Sequence, residues 1–140
     1  MKKVLSISLL ILVVCPSLII AGDPLEYQLA VIDSGGYVSK SDIKVARFRS
    51  LLSQLSNKFV ENKQQISDMT VAAQNRLRDC GVKESLLNMM EGMNKLFFQR
   101  NSGLKYAEYI AAYITCRRQG MSHSETIDGL QGILESFGVQ

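Results

Sequence analysis

The chain has 140 residues, of which 46% are hydrophobic and 21% are charged, and this fits one globular domain with a single core. Lys2 and Lys3 are two of its 16 basic residues and all 13 acidic residues follow residue 21, so the chain beyond residue 21 has 14 basic and 13 acidic residues, a net charge of +1. A balance this close to neutrality excludes the strongly basic surface with which nucleic-acid-binding proteins contact phosphates.

Residues 1–21 have the layout of a secretory signal peptide. A short basic start is followed by the apolar run Val4–Val14, and small residues lead to a cleavage site after Ala21. An uncleaved membrane anchor is an alternative, but the run is shorter than the roughly 20 residues that span a bilayer. Lipid attachment at Cys15 is a second alternative, although Val14 is larger than the residue that usually precedes a lipidated cysteine. We therefore expect a periplasmic or secreted protein without stable membrane insertion.

Residues 22–140 predict a single all-α domain, a compact bundle of five or six short helices joined by short turns. The first helix is expected to begin at Asp23-Pro24 and to end at Gly35-Gly36, although alternating apolar residues make a strand the competing interpretation. The second helix, capped by Ser39 or Ser41, has an apolar stripe at helical spacing: Val45, Phe48, Leu52, Leu55 and Phe59.

The polar segment Glu61–Gln65 predicts a break before the third helix, although one continuous helix through this region remains an alternative. If the helices are separate, Ser67 is the expected cap of the third, which ends at Gly81. Two further helical segments follow, Leu86–Phe98 and Leu104–Arg118.

A capping box, Ser122 with Glu125, marks the start of the last helix. The apolar residues that follow it share one face, and Gly138 closes the helix. His123 lies in the first turn beside these capping residues, which is the ordinary context of a cap, so we do not assign it as a catalytic base.

Two cysteines, Cys80 and Cys116, remain in the mature chain, and each is expected at the C-terminal end of a helix. In an up-and-down bundle these two helices run parallel, which would bring both ends together. An even number of cysteines in an exported protein predicts a disulfide between them. We expect this bond to link one end of the bundle.

The best candidate for a partner surface is the row of tyrosines Tyr106, Tyr109 and Tyr113. Steps of three and four residues place all three on one helical face, and tyrosine is enriched at protein interfaces. The alternative is the edge of the core, with the hydroxyl groups reaching water.

Met89, Met90 and Met93 form a cluster whose thioethers would suit Cu(I). Methionine also fills irregular gaps in cores, and two of the three share the stripe of Leu86 and Phe97, so we expect core positions and no metal or other cofactor.

The sequence therefore favours a small exported helical protein that acts by binding another protein, as an inhibitor, immunity factor, chaperone or accessory subunit. A metal-handling protein that uses the clustered methionines and a small hydrolase with an unrecognised site are the alternatives. The sequence gives more support to a protein without enzymatic activity than to an enzyme. No nucleophile, base and orienting group are placed so that they would converge in one cleft.

Overall fold

The computed structural model of the protein describes residues 22–97 and 103–138, which form six α-helices and no strand. The all-α prediction is therefore confirmed. The helices are α1 (Leu25–Ser34), α2 (Ile43–Lys58), α3 (Lys63–Asp79), α4 (Leu86–Lys95), α5 (Tyr106–Arg118) and α6 (His123–Ser136). No helix in these two ranges is long and apolar enough to cross a membrane. The predicted signal peptide, residues 1–21, lies outside the described residues.

Local hydrogen bonds explain where α2, α3 and α6 begin. Asp42 caps α2 by accepting from the backbone N–H of Lys44 at 2.8 Å, so the prediction of a serine cap was wrong. Asn62 and Gln65 form a capping box at the start of α3, which makes α2 and α3 separate helices and leaves Ser67 inside α3. The predicted capping box of Ser122 and Glu125 is confirmed.

Two helices begin on a carboxylate supplied by a distant part of the chain. Asp33, near the end of α1, accepts from the backbone N–H of Leu86 at 2.6 Å at the start of α4. Glu61, in the turn between α2 and α3, accepts from the backbone N–H groups of Tyr106 at 2.7 Å and Ala107 at 3.1 Å. These groups have no partner inside their own helix, and a carboxylate at a helix N-terminus also meets the positive end of the helix dipole.

One core joins all six helices. Helix α2 packs against α1, α3 and α4, while α5 lies between α3 and α6, and α6 also contacts α4. The predicted apolar stripes supply the interior, including Phe48 and Leu55 of α2 and Leu130 and Leu134 of α6, which are at most 1% exposed. The stripe positions of the sequence are therefore those that remove most apolar surface from water.

The predicted Cys80–Cys116 disulfide is wrong, because both cysteines are free thiols. The segment after α3 does reach the second half of α5, where Glu84 contacts Tyr113 and Arg117. Cys116 precedes Arg117 by one residue, which turns its side chain about 100° around the helix from that contact. Cys80 is exposed, and a disulfide requires two side chains directed at each other, not only helix ends on one side.

Candidate functional site

A partly buried polar cluster joins the α3–α4 connection to α5 and α6. The Glu84 carboxylate accepts from Arg117 Nη2 at 2.9 Å and from the Tyr113 hydroxyl at 3.2 Å. The same hydroxyl lies 2.7 Å from His123 Nδ1, which is itself 3.8 Å from Glu84 Oε2. Arg117 also donates to the carbonyl of Met121 at 2.6 Å. The cluster fixes the turn between α5 and α6.

The surroundings of this cluster shift two pKa values. Burial lowers the pKa of His123 from its usual value, and the nearby Glu84 carboxylate opposes that shift only in part. Burial and the adjacent Glu84 raise the pKa of Tyr113, so its hydroxyl stays protonated. The side chains of Glu84 and Arg117 are 8% and 13% exposed, and their ion pair is shielded from water. The arrangement is suited to holding α5 and α6 together, since most of its polar atoms bond to one another. The exception is Arg117 Nε, which is buried without a hydrogen-bond partner.

The tyrosine row does not form one exposed face. Tyr106 and Tyr113 are completely buried, and only Tyr109 is partly exposed. The Tyr106 hydroxyl lies 2.7 Å from the Thr70 hydroxyl in α3, so it has a partner inside the protein. Tyr113 is covered from another direction, since its hydroxyl contacts Glu84 and His123. A partner could therefore reach Tyr109 but not the two buried rings, and the role of this row as a partner surface stays a prediction.

The three methionines are core residues. Met89, Met90 and Met93 are 0% exposed and belong to the same hydrophobic cluster as Leu86. No group of three or more His, Cys, Asp or Glu side chains in the described ranges is arranged to hold a metal ion. The thioethers therefore fill the interior between α4 and the helices around it.

The surface feature that the sequence analysis missed is a groove between α5 and α6. This α5–α6 groove has a volume of about 220 Å³, and its lining residues are Glu108, Tyr109, Ala112, Leu130, Ile133 and Phe137. Phe137 is 75% exposed and Ile133 is 44% exposed. In the sequence, Phe137 extends the buried stripe of α6, so periodicity predicts it as core. Phe137 follows Ser136, the last residue of α6. This position indicates that Phe137 lies beyond the part of α6 that other helices cover.

Two other grooves are more polar. The larger, of about 400 Å³, lies between α2 and α4, where Arg47 forms an ion pair with Glu91 and Asn94 donates to Gln54 at 2.8 Å. The second, of about 240 Å³, lies at the end of α3 near Glu84. The α5–α6 groove is distinguished from both by the large apolar side chains at its mouth.

The chain belongs to the MoxZ family, whose model matches residues 34–133. This range contains α2 to α5 and most of α6. No curated protein and no solved structure matches the chain.

Proposed function

We propose that this protein is exported and acts by binding another protein through the α5–α6 groove. The observation that carries the proposal is the exposure of Phe137 and Ile133 beside the partly exposed Tyr109. Aromatic side chains such as those of Phe137 and Tyr109 are enriched in the cores of protein interfaces. Covering them would remove apolar surface from water, which favours association.

Export is supported by the signal-peptide pattern of residues 1–21, and it determines where a partner has to be sought. The partner would be a protein of the periplasm or of the extracellular space. Cell fractionation of the full chain, with mass measurement of its N-terminus, tests this part of the proposal. A mature protein that begins at Gly22 supports export, while an unprocessed protein in the cytoplasm contradicts it.

The binding part is tested by affinity capture with the mature chain and two matched variants. Ile133→Glu places a charge in the α5–α6 groove, and Ile43→Glu makes the same change at a position that is 78% exposed on α2. We expect a stoichiometric protein partner to be captured by the native chain and by Ile43→Glu but to be lost with Ile133→Glu. Equal capture by all three chains would contradict the assignment of this groove.

A further inference from the structure

The α5–α6 groove continues onto a part of α6 that has almost no side chains. Gly129 and Gly132 both lie inside α6 and are exposed. A Cβ atom at Gly132 would meet nothing within 4 Å, and one at Gly129 would meet only Met121 Cε at 3.8 Å. Glycine is a poor helix former, and the packing of this chain does not require it at either position. Gly92 in α4 differs, because a Cβ there would lie 2.7 Å from His123 Cε1.

The turn of the helix places these glycines beside the groove. At about 100° per residue, Gly129, Gly132 and Ser136 share one face of α6, which we call the glycine face. Ile133, at the mouth of the groove, borders the glycine face on one side. Asp128 and Glu135 border it on the other side, and both are exposed. The surface thus has an apolar edge, a flat centre and an acidic edge.

The charged residues of α6 have one sign. Helix α6 contains three carboxylates, on Glu125, Asp128 and Glu135, and no lysine or arginine. Glu108, which lines the α5–α6 groove, is also an acid, but it already forms an ion pair with Lys105 at 3.9 Å. The acidic edge of the surface therefore consists of Asp128 and Glu135. Two copies of α6 placed face to face would bring these carboxylates together, which opposes association of the chain with itself.

We propose that the α5–α6 groove and the glycine face together bind an amphipathic helix of a different protein, with apolar anchors on one side and lysine or arginine beside them. Because Gly129 and Gly132 have no side chains, the backbone of a second helix can approach this part of α6 closely. The apolar anchors of that helix would enter the groove beside Ile133 and Phe137, and its basic residues would meet Asp128 and Glu135. This inference rests on the proposed function and adds the chemistry of the partner.

The test uses two synthetic helical peptides of about 20 residues, a length at which helices form in water. They share one apolar stripe, and its flanking positions are lysine in one peptide and glutamate in the other. The fluorescence anisotropy of each labelled peptide is measured during titration with the mature chain. We expect the lysine peptide to bind at least about tenfold more tightly than the glutamate peptide and to weaken as salt is added.

The variant Gly129→Leu/Gly132→Leu fills the glycine face, while Ala72→Leu/Asn75→Leu makes a matched change at exposed positions of α3 with the same spacing. Filling the glycine face should weaken binding of the lysine peptide by about tenfold or more and raise the melting temperature, since leucine is the better helix former. The α3 variant should bind like the native chain. A loss of binding that accompanies a higher melting temperature does not reflect unfolding.

Equal binding of both peptides, or full binding by Gly129→Leu/Gly132→Leu, would overturn this inference. So would a dimer of the native chain in sedimentation that this variant abolishes, because a second copy would then be the occupant. If neither peptide binds but a captured partner is still lost with Ile133→Glu, the proposed function stands and the inference about a basic helix fails. If that capture also fails, both are wrong.

Discussion

Glu61 is expected to determine the stability of α5, although it lies outside that helix. Glu61 is 8% exposed. Its two carboxylate oxygens accept hydrogen bonds from the backbone N–H groups of Tyr106 and Ala107. The residue before α5, Lys105, provides no side-chain cap. Glu61→Ala therefore removes the N-cap of α5 and leaves the buried N–H of Tyr106 without an acceptor.

The magnitude follows from these two losses. A lost N-cap costs about 1 kcal/mol, and an unsatisfied buried N–H costs about 1–3 kcal/mol. We therefore expect Glu61→Ala to lower the free energy of unfolding by about 2–4 kcal/mol. Glu61→Gln keeps one acceptor oxygen but loses the charge at the helix N-terminus, so its loss should be smaller, about 1 kcal/mol.

Urea denaturation followed by circular dichroism measures both variants against the native chain. Glu108→Gln is the control, because Glu108 is 66% exposed and its ion pair with Lys105 spans 3.9 Å. Exposed pairs of this kind contribute at most about 1 kcal/mol. A loss for Glu61→Ala no larger than the loss for Glu108→Gln would refute the capping role of Glu61.

Three further predictions concern the interior and the thiols. Burial lowers the pKa of His123, so below about pH 6.5 the unfolded chain takes up a proton there before the folded chain does. Stability should therefore fall as the pH drops from about 7 towards 5. His123→Gln should make the denaturation midpoint less dependent on pH in that window. An equal dependence of the midpoint on pH in the native chain and the variant would contradict this. Gly92→Ala should lower the free energy of unfolding by about 1 kcal/mol, because the added methyl group would overpack against His123. Gly132→Ala should raise the free energy of unfolding by about 1 kcal/mol, because alanine is the better helix former and nothing lies near that position. Chemical denaturation measures both variants, and a change of the same sign in both would contradict this difference in packing. Because Cys80 and Cys116 are free, a reductant should leave the melting temperature unchanged, and a thiol reagent should label exposed Cys80 faster than Cys116.

The sequence predicts those parts of the fold that depend on neighbouring residues. The capping box of Ser122 and Glu125 requires only positions three residues apart, and the apolar stripe of α2 repeats within one helix. Helix α4 has a local cap, Ser85, which accepts from the backbone N–H of Asn88 at 3.0 Å. The further acceptors at the starts of α4 and α5, Asp33 and Glu61, were missed because they lie 53 and 45 residues away in the chain. No local pattern distinguishes a carboxylate that caps a distant helix from one that faces water.

The tyrosine row shows a second reason why the candidate site was only partly predictable. Helical spacing correctly groups residues on a face but does not say which neighbouring helix covers that face. Helix α5 is covered by α3 on one side and by α6 on another, so Tyr106 is buried while Tyr109 remains partly open. Ile133 and Phe137 are exposed because α5 does not cover that part of α6. Their exposure therefore depends on how the two helices pack, which the sequence of one helix does not show.

The contacts at its boundaries hold the α5–α6 groove in a defined shape. Glu61 fixes the first turn of α5, and the cluster around Glu84 fixes the far end of α5 to the first turn of α6. In the second half of α6, the Gln131 side chain accepts from the backbone N–H of Phe97 at 2.8 Å and donates to the Phe97 carbonyl at 3.3 Å. Each helix that forms the groove is thus held at two points by contacts with other elements.

A surface held in this way loses little conformational freedom when a partner binds, and this lowers the cost of association. The proposed partner can therefore be a helix that becomes ordered only on binding, since this chain contributes the rigid side of the interface. Glu84→Gln tests the connection, because it weakens the cluster between α5 and α6 without changing any residue that lines the groove. We expect it to weaken binding of the lysine peptide by increasing the dissociation rate, measured by stopped-flow anisotropy. An unchanged dissociation rate in a destabilised Glu84→Gln chain would show that the groove keeps its shape without the cluster.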